Sequence, residues 1–230
     1  MIDLQRITAR YGSAGMLDDV SLSVAPGMLV AVVGARGAAR SCLLRVASGR
    51  ERPLAGRVLV DGEDLTGRPP YVLRAHGVRH VARRRCVYPR LTVRENVYVQ
   101  AAGADVEDAL DAAVLTFPEL GSVLDRPAGS LPDGQRQMLA LCDVAATECG
   151  YVLLDELLDD VMPDHFADVA GLLERLVRDG CGVLVTAGEQ AGAIAGELAD
   201  RVHTIDHCLF REPDGFGDFL ESFSVSGHGL

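Results

Sequence analysis

Leu29-Val30-Ala31-Val32-Val33-Gly34-Ala35-Arg36-Gly37-Ala38-Ala39-Arg40-Ser41-Cys42-Leu43-Leu44-Arg45-Val46 is the stretch on which the reading of this chain turns. The unbroken apolar run from Leu29 to Val33 is the pattern of a strand buried on both faces, as in a parallel sheet. It stops at Gly34, and a helical pattern follows from Cys42, so the residues between them form the strand-to-helix turn at which ligands bind in such sheets. Gly34 to Ser41 has the layout of a phosphate-binding loop, G-x-x-x-x-G-K-[ST], in which backbone N–H groups and a helix N-terminus receive phosphate oxygens. Two positions depart from that layout: Ala39 stands where the second glycine belongs, and Arg40 where the lysine belongs. Alone, the loop is weak evidence.

Working outward, Tyr151-Val152-Leu153-Leu154, running into Asp155 and Glu156, and Val183-Leu184-Val185 are apolar runs of the same kind. Such strands alternating with helical patterns predict an α/β domain with a parallel core. Ile2 to Ile7, Val20 to Val24 and Val58 to Val60 read as antiparallel strands, with turns at Pro26-Gly27 and Asp61-Gly62, which makes the sheet mixed. Residues from about 93 to 148 are helical in pattern, broken at Phe117-Pro118 and Arg126-Pro127, and predict a helical subdomain inserted into the core. The 230 residues suit one domain over 1–223, with a frayed tail at 224–230.

A net charge of −11 argues against general nucleic-acid binding, which depends on neutralising phosphates. No run approaches the ~20 apolar residues of a membrane span, and the start lacks a secretory pattern, which together predict a cytoplasmic chain without membrane insertion. All 22 basic residues are arginine, so Arg40 is open to explanation by a chain-wide drift from lysine as well as by local change. Cys42, Cys86, Cys142, Cys149, Cys181 and Cys208 show no paired spacing and read as reduced core thiols. Arg83-Arg84-Arg85 is either a solvated face or a contact for an acidic partner. His76, His80, His165, His203 and His207 are candidates only in that an imidazole can titrate near neutrality, and no spacing among them specifies a reaction.

Over roughly residues 1 to 210, these pieces resemble, in order and spacing, the nucleotide-binding domain of ABC-type transporters. Leu131-Pro132-Asp133-Gly134-Gln135-Arg136-Gln137 is similar to the family's L-S-G-G signature, and Tyr151 to Glu156 to its Walker B strand. Val87 to Asn96, Gln137-Met138-Leu139-Ala140 and Glu189-Gln190 look most like the second ATP-binding subunit of branched-chain amino acid importers. The resemblance implies a P-loop NTPase-like α/β fold with a mixed core sheet, an antiparallel β subdomain and an inserted helical subdomain.

It also implies roles. Tyr11 stands where the family stacks an aromatic on adenine; Gly34, Gly37, Ala39, Arg40, Ser41 and Cys42 occupy the phosphate loop; Ser41 and Asp155 stand at the magnesium positions, and Glu156 at the catalytic one. Against this, Ala39 adds a methyl where glycine-only torsions are expected, at roughly 1 kcal/mol. Arg40 brings a larger, planar cation than the family's ammonium. Pro132 offers neither hydroxyl nor N–H, and Asp133 places a carboxylate near a polyanion unless it serves as N-cap of a helix from Gly134. Arg83 replaces a family glutamine or glutamate, Gln190 aligns with the switch histidine, and Leu157-Leu158-Asp159-Asp160 replaces the proline-led D-loop, its extra carboxylates adding negative charge.

ATP with Mg²⁺ is thus the implied ligand, with weak or absent binding expected. The implied partners are a second ABC subunit, as homodimer or heterodimer, and a membrane permease at the inner face of the membrane. Three functions stay open: a pseudo-ATPase, an importer subunit with residual ATPase activity, and an ABC fold repurposed for another small ligand or a soluble reaction. In the family each ATP site joins one chain's loop to the other chain's signature, and here both are altered in one chain.

Overall fold

The computed structural model describes residues 1–11, 15–34, 37–82, 87–101, 105–145, 149–156, 159, 161, 165–206 and 209–211. The sequence expectations for Ala35, Arg36, Arg83 to Arg85, Cys86, Leu157, Leu158, Asp160, His207, Cys208 and the tail beyond Phe223 fall outside that set.

Two sheets form. β1 (Ile2–Tyr11) pairs antiparallel with β2 (Gly15–Val24) and with β4 (Ala55–Val60), and β5 (Glu63–Asp64) closes the order β2-β1-β4-β5. β1 continues past the predicted end at Ile7 by way of register shifts, with Arg6 in the left-handed region at φ 52°. The second sheet has the order β10-β9-β3-β8-β7-β6. Its β3 (Leu29–Val33), β8 (Gly182–Ala187), β7 (Tyr151–Asp155), β6 (Val78–Ala82) and β9 (Arg201–Asp206) run parallel, while β10 (Leu209–Arg211) is antiparallel to β9.

Every residue of β3, β7 and β8 is buried, and alternate residues face two different cores. Ala31, Val33, Val152, Leu154, Val183 and Val185 join one core; Val30, Val32, Leu153 and Leu184 join the other. This is the two-residue period of a strand with both faces covered. The first core is roofed by α6 (Phe166–Arg178), whose buried Val169, Leu172, Leu173 and Leu176 follow the i, i+3, i+4, i+7 spacing of one helix face. The second is filled by α1 (Gly37–Ala47) and the antiparallel sheet. α7 (Glu189–Leu198) packs so closely on β3 that a β-carbon at Gly192 would lie 2.4 Å from Val33 Cγ1.

The helical layer follows the predicted breaks. After the short α2 (Pro70–Ala75) come α3 (Val93–Ala101) and α4 (Val106–Thr116), then 3-10 turns at Pro118–Val123 and Ala128–Ser130, then α5 (Asp133–Ala145). Asp105 caps α4, its side chain accepting from Glu107 N and Asp108 N. Asn96 is fully buried in α3; its Oδ1 accepts Tyr88 N at 2.7 Å, and its Nδ2 donates to the carbonyls of Tyr88, Leu91 and Thr92. One amide thus holds the loop that follows β6.

Candidate functional site

The C-terminal ends of β3, β7 and β8 bring together residues more than a hundred positions apart. Ser41, in α1, donates its hydroxyl to Asp155 Oδ1 at 2.9 Å. Asp155 ends β7 and is 8% exposed; burial raises its carboxyl above the ordinary aspartate value, against the lowering effect of the Ser41 hydrogen bond. Glu156 follows in the left-handed region at φ 52°, its N–H donated to Thr186 Oγ1 at 3.0 Å. Thr186 is fully buried in β8 and lies 3.4 Å from Asp155 Oδ1, so one hydroxyl braces both acidic residues.

Arg40 does not point into open solvent. It is 4% exposed, and its Nη2 lies 2.8 Å from Glu156 Oε1 and 3.4 Å from Asp159 Oδ2. Asp159 Oδ1 also accepts Gly188 N at 2.7 Å, where the chain enters α7. The phosphate-loop cation therefore pairs with the carboxylate beside β7, and the Asp159 carboxylate, expected to add bare negative charge, is neutralised by Arg40 and a backbone donor. Neither contact has a local signal in the sequence, because the partners are 116 and 119 residues away. Thr186 did leave one: it interrupts an otherwise apolar run.

Close backbone approach explains Gly34, whereas Gly37 faces the end of a flexible side chain. A β-carbon at Gly34 would lie 2.2 Å from Ile205 O at the end of β9, and one at Gly37 would lie 2.2 Å from Glu156 Oε1. The torsional penalty expected at Ala39 is not incurred. Ala39 lies inside α1 and is absent from the described non-glycine residues with positive φ, and its methyl is buried in the second core. Cys42 is fully buried there too, and burial pushes its thiol up to about 11.

Asp133 departs from the sequence reading. α5 begins at Asp133, not after it, because the Pro132 carbonyl already accepts Arg136 N at 3.0 Å. The Asp133 carboxylate bonds the Arg136 guanidinium and is largely exposed, so it caps nothing. Among the described residues, no hydrogen bond or ion pair joins Pro132 or Asp133 to the Arg40 cluster within this chain. Gln190 lies in the first turn of α7 and Tyr11 ends β1; the side chains of both fall outside the described set, as does Arg83.

The donor set fits a magnesium-bound polyphosphate. α1 opens with no acidic residue in its first turn, leaving the N-terminal N–H groups free of a competing carboxylate from their own helix. Arg40 Nε and Nη1 are buried and have no hydrogen-bond partner among the described residues, an arrangement that a phosphate oxygen would satisfy. Ser41 Oγ and Asp155 are hard oxygen donors of the kind Mg²⁺ takes. Glu156 Oε1 lies over Gly37 and on Arg40 Nη2, so its carboxylate shares that guanidinium with any such ligand.

Comparison with known proteins agrees with this geometry. The family described as "ABC transporter" matches residues 17–159. The high-affinity branched-chain amino acid transport ATP-binding protein BraG of Pseudomonas aeruginosa is 30% identical over 210 residues, covering 90% of this chain and 89% of that protein. The probable branched-chain amino acid transport ATP-binding protein LivF of Archaeoglobus fulgidus is 30% identical over 210 residues, covering 89% and 88%. Among solved structures, a nucleotide-free ATP-binding cassette from an ABC transporter superposes with a TM-score of 0.79 at 20% identity over 97% of this chain and 95% of that one. A dimeric bacterial ABC transporter cassette does so with a TM-score of 0.79 at 22% identity over 94% and 100%. The mixed sheet, the phosphate loop at the head of α1 and the Asp155–Glu156 strand end therefore have one common explanation: the chain belongs to the ABC transporter family of ATP-binding domains.

Proposed function

We propose that this chain is an ATP-binding subunit of an importer of the branched-chain amino acid type whose own nucleotide site is self-locked, so that it binds ATP weakly and hydrolyses it slowly. The observation that carries this reading is the 2.8 Å contact between Arg40 Nη2 and Glu156 Oε1. A phosphate competes with two carboxylates for one guanidinium, in a pocket that also holds Asp155. When the ligand is bound, the N–H groups of α1 and Arg40 hold phosphate oxygens, and Ser41 and Asp155 hold the metal. ATP supplies the phosphoanhydride bond that is broken. Glu156 takes a proton from water at its carboxylate, a task it performs poorly while that carboxylate is held on Arg40. The departures at Pro132 and Asp133 remove the hydroxyl and uncharged backbone that resemblance assigns to the facing subunit's site, which lowers the nucleotide's hold on a dimer.

The import cargo follows from the names of the relatives and not from the site. The membrane partner is a permease, and the chain works at the inner face of the membrane; no helix among the described residues is long and apolar enough to cross it.

Steady-state phosphate release with Mg²⁺ and ATP tests the reading. A rate far below about 1 s⁻¹ is expected. A rate at or above that value, abolished by Glu156→Gln, overturns it in favour of an ordinary ATPase subunit. That second reading has its own support in the intact Ser41–Asp155 pair and the Thr186 brace.

A further inference from the structure

Cys149 and Cys181 are 32 residues apart in sequence, yet their sulfurs lie 3.8 Å apart. Cys149 leads into β7 and Cys181 into β8, and the backbones beside them are already joined, with Gly182 N donating to Gly150 O at 2.9 Å. Tyr151 and Gly182 are partners in the parallel ladder that follows. Cys181 is 2% exposed, whereas Cys149 is only partly buried, so a reagent reaches one sulfur with the other waiting behind it.

We propose that Cys149 and Cys181 are an oxidant-modified dithiol, which a small-molecule disulfide converts to an intramolecular disulfide linking the entry ends of β7 and β8. In the first step the Cys149 thiolate attacks one sulfur of the reagent, forming a mixed disulfide and releasing one thiolate. In the second, Cys181 gives its proton to solvent and attacks Cys149 Sγ, breaking the mixed disulfide and expelling the second thiolate. Two electrons and two protons leave the protein, and the reagent becomes two thiols. The sulfurs must approach by roughly 1.8 Å to reach bonding distance.

The order of attack follows from the surroundings. The Cys181 S–H hydrogen bond, and then the Arg79 cation, hold the Cys149 thiol below its usual range. That same hydrogen bond and burial push the Cys181 thiol up. A low thiol attacks first, and a buried neighbour resolves. Cys42 and Cys142 are buried, with thiols raised by desolvation, and are poor competitors.

The test uses the full chain, reduced and then exposed to oxidised glutathione, and digested with trypsin without reductant. Lacking lysine, the chain is cut after arginine, and the peptides 137–175 and 179–201 carry the two cysteines. They are expected as one linked species, lighter than their sum by two hydrogens, in the wild type and in Cys142→Ser. Cys149→Ser should remove the link, and Cys181→Ser should trap glutathione on Cys149. The oxidised wild type should melt higher by on the order of 10 °C, since the link closes a long loop. Absence of the linked species from the wild type, or its loss in Cys142→Ser, overturns the proposal. The wild-type digest decides the matter even if a serine variant fails to fold.

Discussion

Replacing Arg40 by methionine keeps an apolar stem in the core but removes the cation from between Glu156 and Asp159. The guanidinium is 4% exposed and the two carboxylates 14% and 18%, so screening by solvent is partial. At 2.8 Å the gross attraction to Glu156 is about 6 kcal/mol with an effective dielectric of ~20, much of it offset by the cost of burying the ions. Breaking such a pair by deleting one member costs about 3 kcal/mol or more, because the surviving carboxylates stay mostly buried after losing that cation. For a domain of this size that lowers the melting temperature by roughly 6–12 °C. The assay is thermal unfolding of nucleotide-free protein at pH 7, followed by circular dichroism. The control is Arg40→Met combined with Glu156→Gln and Asp159→Asn, which removes the whole charge set and should recover most of the loss. A shift below about 2 °C for the single variant, or a triple variant no more stable than the single one, would refute the account of a charge-locked site.

Three further outcomes are expected. Thr186→Val takes the acceptor from Glu156 N–H and should destabilise by about 1–3 kcal/mol in urea titration, with wild-type stability showing the brace to be dispensable. Asn96→Ala strands Tyr88 N–H, while the carbonyls of Tyr88, Leu91 and Thr92 keep backbone donors, and should cost about 1–3 kcal/mol while speeding amide exchange at Tyr88. Asp155 has a folded-state value raised above its unfolded one, so the native state binds the extra proton and stability falls as pH rises through that window. Asp155→Asn should flatten this dependence in melting curves taken from about pH 4 upward, and should abolish any stabilisation by Mg²⁺ with nucleotide.

The elements legible in the sequence were those that carry their own period. β3, β7 and β8 are apolar on both faces and were visible as runs. β6 was hidden because Arg79 and His80 sit in its middle, and β9 because it begins at Arg201 and ends at Asp206. The Ser41, Asp155 and Glu156 cluster was anticipated through motif order, and the structure brings its members together. What Arg40 does could not be anticipated, since its partners lie beyond any local window and a guanidinium's choice between phosphate and carboxylate is a tertiary matter. Asp133 misled for the opposite reason: good capping chemistry was present, but the Pro132 carbonyl had already started the helix one residue earlier.

The division of β3 between two cores also has a consequence for the clasp. Val32 and Val33 are neighbours in the chain but face different cores, Val32 the one that holds the buried residues of α1 and Val33 the one against α7 at Gly192. Arg40 rides on α1, and Asp159 is tied to the head of α7 through Gly188 N. The two jaws of the ionic clasp thus belong to opposite faces of one sheet, and the clasp closes across the end of that sheet.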